Sequence, residues 1–409
     1  MAIKYLKSSK IKNKTVLLRV DVNVPLNEET GKVLDDFRIR AILPTIQLLR
    51  ESGNKVIILG HLGRPEGHKD SKLSLEPVAE CLSDLLGLKF LKTTHEIPQS
   101  SANRLIFYTG DIMEGVHQKH LESIPNTDLV MLENIRFYKG EELDEAPLSK
   151  KLASLADVYV NDAFSVSHRN AASIVGVTKY IPSYCGPLLE QEIKSLTVIL
   201  ERSKKPMVVM MGGIKISDKS HTLEYLGKHA DKILLGGGLS TLMFFAKKLE
   251  VGISKIEEDA VKTAWHLAKN LEDKIVLPVD VVVADEHMSK NSIRVTTPYE
   301  IGKKEQILDI GPKTILLYAN ELKEAKTIVW NGPMGKFEIK PFHTGTIALA
   351  RIVGAVGKRK AFTLVGGGET VDAIILAGQF EHIDHVSTGG GAMLEFLAGK
   401  KLPGIEALK

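Results

Sequence analysis

Short apolar runs recur along the whole chain, and amphipathic stretches separate them. Nearly continuous runs of this kind, without polar alternation, are typical of parallel strands that are buried on both faces. In the first half the runs are TVLLRV (15–20), KVIIL (55–59), RLIFY (104–108), DLVML (128–132) and DVYV (157–160). In the second half they are MVVMM (207–211), KILLG (232–236), KIVL (274–277), TIVW (327–330), AFTLV (361–365) and DHVST (384–388).

The intervening segments carry apolar residues at helical spacing, as in EPVAECLSDLLG, PLSKKLASLA and DAVKTAWHLAKNL. Strands that alternate with helices predict an α/β fold, and 409 residues exceed what one hydrophobic core usually supports. We therefore predict two doubly wound, Rossmann-like domains with parallel sheets. One segment, NSIRVTTPYE, alternates instead, and it predicts a small antiparallel hairpin near 281–297.

The stretch KYIPSYCGPLLEQEIKSL marks the expected boundary between the two domains. Pro182, Gly186 and Pro187 precede a long helical pattern over 187–201, and such residues punctuate elements. We therefore expect the first domain to end at residue 182, and an inter-domain helix and hinge to lead into the second.

Composition and charge narrow the class of partner. The net charge of +4 comes without a Lys/Arg block or interleaved aromatic residues, so we expect small anions as partners and no nucleic acid. The only two cysteines, Cys81 and Cys185, lack metal-ligand spacing, which favours a reducing, cytoplasmic location. No apolar run approaches the roughly 20 residues of a membrane helix, so we expect no membrane segment.

Charged side chains follow the predicted strands of the first half. Ligands of open parallel sheets bind beyond the carboxyl ends of the strands, so these positions are candidates for chemistry. They are Arg19, Asp21, Asn23, His61, Arg64, Glu133, Asn134, Arg136, Asn161, Asp162, His168 and Arg169. Arg38, in the first turn of a predicted helix, is expected at the same edge. A single arginine here is an ordinary surface ion pair, but the set together favours a site for a small polyanion.

Glycine replaces charge after the predicted strands of the second half. Glycine triplets occur in VGGGETV (365–371), KILLGGGLST (232–241) and VSTGGGAML (386–394), with a shorter form in VVMMGGIKISDK (208–219). Glycine lets a phosphate reach the unpaired N–H groups of a helix N-terminus, although close helix–strand packing also uses it. Neither GxxxxGK[ST], a kinase HRD or DFG, nor a clean GxGxxG is present, so the turns predict nucleotide phosphates without those signatures.

Two lysines and one acid add to this picture. Lys215 and Lys219 lie four residues apart across a turn that enters a helix, and both are placed to reach a phosphoryl group. The turn WNGPMGKFE ends at Glu338, an acceptor for ribose hydroxyls. A polyanion site in one half and a nucleotide site in the other imply phosphoryl transfer across a closing cleft.

The ordered motifs resemble the phosphoglycerate kinase family. They are RVDxNVP, HLGRP, ENxRF, DAFxxxHR, GGxKxxDK, LPVD, WNGPMGxFE, GGGxT and STGGGAxLE, and they run from near the N-terminus to near the C-terminus. The resemblance implies reversible transfer of a phosphoryl group between MgATP and the carboxylate of 3-phosphoglycerate, giving 1,3-bisphosphoglycerate and MgADP in glycolysis and gluconeogenesis. It also implies Mg²⁺ as cofactor, a hinge-bending monomer, and ATP or ADP as substrate.

The resemblance further assigns a role to each part of the chain. It implies a phosphoglycerate-binding domain over 1–182, a nucleotide-binding domain over 183–390, and a tail over 391–409 that returns to the first domain. By matched position, phosphoglycerate is held by Asp21, Asn23, Arg38, His61, Arg64, Arg136 and Arg169. The nucleotide is held by Gly213, Lys215, Lys219, Gly237, Gly238, Asn331, Pro333, Glu338, Gly366, Gly367, Gly368 and Thr370. The implied catalytic set is Arg38, Lys215, Lys219, Gly367 and Gly390.

Departures from the family pattern affect the nucleotide site. Glu369 stands where the family commonly has aspartate, at the acidic position that serves the metal, so the resemblance implies Glu369 as a Mg²⁺ ligand at a different reach or through water. Lys336 replaces a usually apolar residue and is expected to alter the nucleoside pocket or add a phosphate contact. The middle of DAFSVSHR also differs from the common DAFGTAHR.

Three other functional classes stay open from the residues alone. A kinase for another small phosphorylated carboxylic acid would keep both half-sites and change the arginine set, and a substrate panel separates it. A dinucleotide oxidoreductase would bind NADH, whereas its fingerprint is not present here. A non-catalytic binding or scaffold protein would bind ligands without turnover.

Overall fold

The computed structural model describes residues 2–9, 11–94, 103–359 and 361–409. The chain divides into two compact units. Unit 1 comprises Met1–Ile193 with Lys401–Lys409, and unit 2 comprises Lys194–Lys400. These limits lie downstream of the 182/183 and 390/391 limits expected from the sequence.

Sixteen strands and fourteen helices are described. The strands are β1 Thr15–Arg19, β2 Lys55–Leu59, β3 Lys89–Thr93, β4 Arg104–Tyr108, β5 Leu129–Leu132, β6 Val158–Asn161, β7 Ser183–Cys185, β8 Met207–Met211, β9 Lys232–Leu235, β10 Ile275–Val276, β11 Val281–Ala284, β12 Arg294–Thr296, β13 Gln306–Ile310, β14 Thr327–Asn331, β15 Phe362–Gly366 and β16 His385–Ser387. The helices are α1 Leu6–Ser9, α2 Phe37–Glu51, α3 Glu76–Leu86, α4 Gly115–Ser123, α5 Ala146–Ser154, α6 Pro187–Arg202, α7 Ser220–His229, α8 Gly237–Ala246, α9 Val261–Asn270, α10 Pro312–Lys323, α11 Thr344–Gly357, α12 Gly368–Leu376, α13 Gly391–Leu397 and α14 Pro403–Glu406.

Unit 1 is built on a seven-stranded parallel sheet in the order β3-β4-β5-β2-β1-β6-β7. Successive residues of each central strand enter different cores, because side chains alternate between the faces of a sheet. Val16 and Leu18 pack with α2 and α3, while Leu17 packs in the cluster that contains Leu148 and Leu152 of α5. Both faces are therefore covered, which confirms the predicted doubly wound architecture.

Unit 2 is built on a six-stranded parallel sheet in the order β10-β9-β8-β14-β15-β16. A separate antiparallel sheet has the order β12-β11-β13. Val281 pairs with Thr296 and Val283 with Arg294, so the predicted hairpin is confirmed, with β13 as an additional strand on its other side.

The strand order determines where ligands can bind. In unit 1 the chain leaves β1 towards β2 and leaves β6 towards β7, on opposite sides, so the order reverses between β1 and β6. In unit 2 it reverses in the same way between β8 and β14. Open parallel sheets bind ligands at the carboxyl ends of the strands beside such a reversal. Each unit therefore has one expected binding edge.

Among the described helices, none has both the length and the apolar character that crossing a membrane requires.

Candidate functional site

Unit 2 contains a cavity of about 690 Å³ at its expected binding edge. Residues that follow β8, β9, β14 and β15 line it, and α12 begins at its wall. Nearly all sequence-predicted nucleotide and metal residues are in the lining: Gly213, Lys215, Lys219, Gly237, Gly238, Asn331, Pro333, Glu338, Gly367, Gly368, Glu369 and Thr370. Gly366 and Gly390 lie outside it. Gly366 ends β15 against the Met393 side chain, and Gly390 precedes α13.

Four glycines of the lining, Gly213 and Gly367 among them, have backbone conformations that side chains disfavour. Gly213 has φ of 90° and Gly367 has φ of 93°. A Cβ atom on Gly213 would lie 2.8 Å from Nζ of Lys219, and one on Gly367 would lie 3.1 Å from Nδ2 of Asn331. Because α12 starts directly after Gly367, this turn presents the first N–H groups of the helix to the cavity.

Lys219 is a partly buried cation of this cavity. Its Nζ donates to the carbonyl of Gly212. Burial lowers the pKa of Lys219 to about 8, and the nearby carboxylates of Glu369 and Asp218 oppose that shift. Lys215 also lines the cavity but is exposed to solvent. The two lysines predicted from the sequence therefore lie in the same cavity in different environments.

Asn331 and Thr370 connect the glycine turns to each other. Nδ2 of Asn331 donates to the carbonyl of Gly366 at 3.0 Å, and the Thr370 hydroxyl accepts from the Gly332 amide at 2.7 Å. Both side chains are buried. Their hydrogen bonds hold the turns after β14 and β15 in register.

Glu369, at the start of α12, is the residue expected to hold a metal ion. Burial, followed by the charges of Glu338 and Asp372, raises the pKa of Glu369, while Lys219 opposes that rise. A bound cation would relieve this crowding of carboxylates. Over the described residues no group of three or more His, Cys, Asp and Glu side chains is placed to hold a metal ion. The residues fit Mg²⁺ that takes one protein carboxylate and completes its shell with phosphate oxygens and water.

Asp309 lines the same cavity and was not predicted. It is buried, and its carboxylate accepts from the amides of Ile310 at 2.9 Å and Gly345 at 2.7 Å, at the start of α11. Burial raises the pKa of Asp309 to about 7, although both amides lower it. Lys255 and Lys336 also line the cavity. Of Asp309, Lys255 and Lys336, the family pattern singled out only Lys336. Asp309 was missed because an aspartate inside an apolar strand run gives no local signal of a binding site.

In unit 1, the residues after β1 position Arg38. Nη1 of Arg38 donates to Oδ2 of Asp21 at 2.7 Å and to the carbonyl of Asn23 at 3.2 Å. The Asn23 side chain accepts from the amide of Gly63 at 2.8 Å. The motifs RVDVNVP and HLGRP are thereby joined to α2, and the Arg38 side chain remains 30% exposed for a ligand.

His61 is buried beside several arginines. Burial holds the pKa of His61 well below its usual value, and the charges of Arg19, Arg136, Arg38 and Arg169 act in the same direction. The imidazole is therefore neutral in the free protein. Because all four guanidinium groups act on the same imidazole, they form one electropositive region around His61.

Arg136 and Arg169 line a cavity of about 190 Å³ together with acidic residues that the sequence did not single out. Oε1 of Glu142 lies 3.7 Å from Nε of Arg136 and 3.7 Å from Nη1 of Arg169. Burial and then Arg169 lower the pKa of Arg136 to about 10, and Glu142 opposes that shift. Glu141 lines the same cavity. These arginines retain the capacity to bind an anion because Glu142 only approaches them loosely.

Arg64, in contrast, is exposed and has no hydrogen bond or ion pair with any described residue. Unit 1 thus brings Asp21, Asn23 and Arg38 into direct contact and surrounds His61 with guanidinium groups. Arg64 extends from the HLGRP loop into solvent.

Comparison with known proteins gives a consistent result. The family model for phosphoglycerate kinase matches residues 6–400. Phosphoglycerate kinase from Desulforapulum autotrophicum is 40% identical over 99% of this chain and 100% of its own length, and one from Clostridium botulinum (strain 657 / Type Ba4) is 42% identical over 97% and 96%. The solved structure of phosphoglycerate kinase from Coxiella burnetii matches with a TM-score of 0.80 and 37% identity, covering 100% of this chain and 99% of that one. The solved structure of phosphoglycerate kinase from Pyrococcus horikoshii matches with a TM-score of 0.84 and 32% identity, covering 99% of this chain and 98% of that one.

Proposed function

The chain belongs to the phosphoglycerate kinase family, and from that premise we propose how its two units divide the family's reaction. The reaction is a kinase reaction of glycolysis, in which ATP donates a phosphoryl group to the carboxylate of 3-phosphoglycerate, reversibly. We assign 3-phosphoglycerate to unit 1 and ATP or ADP to unit 2. The observation that carries this assignment is the contrast in chemistry, since guanidinium groups surround one binding edge and backbone N–H groups the other.

In the proposed complex, unit 1 holds the phosphoglycerate by charge. The ligand carries a phosphate and a carboxylate, and planar guanidinium groups suit both. Arg136, Arg169 and Arg64 offer cationic donors, and His61 adds a neutral one. Arg38 is held by Asp21 with its remaining N–H groups available, so we place it beside the reacting carboxylate.

Unit 2 holds the nucleotide mainly through backbone. We place the phosphates over the N-terminus of α12 beside the Gly367 turn, within reach of Lys219 and Lys215. Glu338 is the proposed acceptor for the ribose hydroxyls. Glu369 is the proposed protein ligand of Mg²⁺, which when bound supplies positive charge to the nucleotide phosphates.

The mechanism needs no protein nucleophile. An oxygen of the substrate carboxylate forms the new bond to the γ-phosphorus while the bond from that phosphorus to the bridging oxygen of ADP breaks. Arg38, Lys215 and Lys219 offset the charge of the transferring group, and the protein must hold the two anions in line and exclude water. Because the ligands occupy different units, we propose that hinge-bending closure gates each turnover.

A coupled assay of ATP consumption, with Mg²⁺ and with or without 3-phosphoglycerate, tests this proposal. We expect turnover only when 3-phosphoglycerate is present. Arg38→Ala should lower kcat by at least about a hundredfold and leave the nucleotide Kd within about twofold. Turnover with another phosphorylated carboxylic acid, and none with 3-phosphoglycerate, would reassign the acceptor. Near-normal turnover of Arg38→Ala would remove that residue from the reaction.

Location and assembly are also proposals. A glycolytic activity, together with Cys81 and Cys185 forming no disulfide, supports a cytoplasmic protein. We propose a monomer, as the family resemblance implies. Light scattering at assay concentration tests the second point, and a dimer mass would contradict it.

A further inference from the structure

A buried hydrogen-bonded series in unit 1 connects an unassigned acid to the phosphoglycerate-binding region. Glu141 accepts from the amide of Ser173 at 2.9 Å and from its hydroxyl at 2.6 Å. The Ser173 oxygen in turn accepts from Nε of Arg19 at 2.9 Å. Nη2 of Arg19 lies 3.3 Å from Nδ1 of His61. All four side chains are at most 2% exposed, so bulk solvent does not compete for these bonds.

The direction of each bond in this series follows from its members. A guanidinium group has donors and no acceptor, so Nδ1 of His61 must accept from Arg19. A neutral imidazole that accepts at Nδ1 carries its proton at Nε2. Nε2 of His61 has no hydrogen-bond partner among the described residues. An Nε2–H group is therefore available to donate to an anion.

Local hydrogen bonds fix the positions of Ser173 and Arg19. Ser173 lies in a π-helical turn over Ala172–Gly176, an uncommon geometry that is frequent at functional sites. Its carbonyl accepts from the Tyr159 hydroxyl at 2.7 Å, which anchors the turn to β6. The third N–H direction of Arg19 is used by the carbonyl of Val20 at 2.5 Å. The Arg19 guanidinium is thus held from three sides and has one orientation.

We propose that Glu141, acting through Ser173 and Arg19, is a positioning residue that holds His61 as the Nε2–H tautomer and so presents a donor to the anionic substrate. This inference rests on the proposed function, because it assumes that His61 contacts phosphoglycerate. The carboxylate of Glu141 supplies the buried negative charge that compensates Arg19. The opposite tautomer would present a lone pair to an anion and weaken binding.

The tautomer is directly measurable in the ligand-free, full-length protein. In ¹⁵N-histidine-labelled protein, the His61 signals are assigned by their loss in His61→Gln. We expect an unprotonated Nδ1 and a protonated Nε2 throughout pH 6 to 8. A wild-type His61 protonated at Nδ1, or a mixture of tautomers, would overturn the inference. Because this measurement needs no turnover, it decides the inference separately from the proposed reaction.

Two variants connect the tautomer to substrate binding. Glu141→Gln and Ser173→Ala each break the series, and we expect both to give mixed His61 tautomers. We also expect KM for 3-phosphoglycerate to rise about tenfold or more, with KM for ATP within about twofold. Folded variants with an unchanged His61 tautomer and unchanged KM would show that the series has only a structural role.

Asp128→Asn is the matched control. Asp128 is a buried carboxylate of the same unit that accepts from Arg104 through Nε at 3.1 Å and Nη2 at 2.6 Å, away from the site. Its loss perturbs a buried acid–arginine pair as Glu141→Gln does. We expect lower stability, an unchanged His61 tautomer and an unchanged KM for 3-phosphoglycerate. A shift of the tautomer in this control as well would mean that the signal reports stability only.

Discussion

At the scale of single residues, Lys219 is a cavity cation whose charge changes in a mildly alkaline solution. Its pKa is lowered to about 8 by burial, so the ammonium form is present below that pH and is lost above it. Phosphate binding favours the ammonium form. Nucleotide affinity of the free protein should therefore be full near neutral pH and fall as the pH rises through about 8.

Nucleotide titrations at pH 7.5 and pH 9.5, between which the phosphates stay ionised, test this dependence. We expect the Kd for ADP to rise about tenfold at the higher pH, as an ammonium group with a pKa near 8 becomes neutral. Lys219→Met should bind weakly at both values and lose the dependence. A pH-dependent Kd that survives in Lys219→Met would assign the titration to another group.

Gly367 and Gly368, at the start of α12, should respond differently to replacement by alanine. Gly367→Ala places a Cβ at φ of 93° and 3.1 Å from Asn331, and we expect a loss of about 1–3 kcal/mol in the free energy of unfolding. Gly368 has no atom within 4 Å of its Cβ position, so Gly368→Ala should leave stability unchanged or slightly raised.

The Gly368→Ala variant also tests where the nucleotide binds. The added methyl of Gly368→Ala occupies open space in the lining of the cavity, so we expect weaker nucleotide binding in a fully stable protein. Urea unfolding and calorimetric titration of both variants measure the two quantities. Undiminished nucleotide affinity in Gly368→Ala would place the phosphates away from this helix N-terminus.

At the scale of elements, α6 is held at its N-terminus by a side chain from the end of β6. Oδ1 of Asp162 accepts from the amides of Leu188 at 2.8 Å and Leu189 at 3.0 Å, and its Oδ2 accepts from the Thr45 hydroxyl of α2 at 2.5 Å. Burial raises the pKa of Asp162 to about 6 against these hydrogen bonds, which lower it. One carboxyl group therefore connects two helices and a strand.

Stability should depend on pH through this carboxyl group. Its pKa is raised on folding from 3.8 to about 6, so between these values the folded protein retains a proton that the unfolded chain has released. The contribution of Asp162 to stability therefore falls as the pH rises from about 4 to about 6, by on the order of 3 kcal/mol. Above pH 6 it is constant.

Asp162→Asn removes this dependence while its amide oxygen can still accept from both α6 amides. We expect the stability difference between wild type and variant to shift in favour of the variant between pH 4 and pH 7, as measured by urea unfolding. Asp157→Asn, at an exposed carboxylate that accepts from the Thr15 amide, is the control, because it removes the same charge without changing a buried group. An equal profile for both variants would contradict the role of Asp162.

Most of the strands that the hydrophobic pattern predicted are buried. All eleven apolar runs are strands, whereas β3, β7 and β13 were missed. β3, KFLKT, is an edge strand with exposed lysines, β7 has three residues, and β13, QILDI, contains the buried Asp309. Short or polar strands are determined by their neighbours in the sheet, which a local pattern does not contain.

The candidate site divides in the same way. Strand ends and glycine turns are local signals, and nearly all the nucleotide residues to which they led line the unit 2 cavity. Glu141 and Ser173 carry no such signal, because they meet Arg19 only through the fold, across 154 residues in the case of Ser173 and Arg19. Residues such as these, which reach their partners across long sequence separations, were therefore missed.

At the scale of the whole molecule, each unit has its own candidate ligand site. Hydrogen exchange of the full chain with one ligand at a time tests whether binding is separate. We expect ADP alone to protect amides near Gly213 and Gly367, and 3-phosphoglycerate alone to protect those near Asn23 and Gly63. Protection of the unit 2 glycine turns by 3-phosphoglycerate alone would contradict this assignment.

Residues Lys401–Lys409 belong to unit 1, although they follow unit 2 in the sequence. The amide of Gly404 donates to the carbonyl of Ser167 at 2.8 Å, and a Cβ on Gly404 would lie 2.7 Å from Cγ2 of Ile174. α14 therefore packs closely on the segment that carries Arg169 and Ser173. During translation, the ribosome makes all of unit 2 before these residues emerge. A nascent chain can thus assemble the unit 2 cavity while the candidate anion site of unit 1 still lacks the supporting wall that α14 provides.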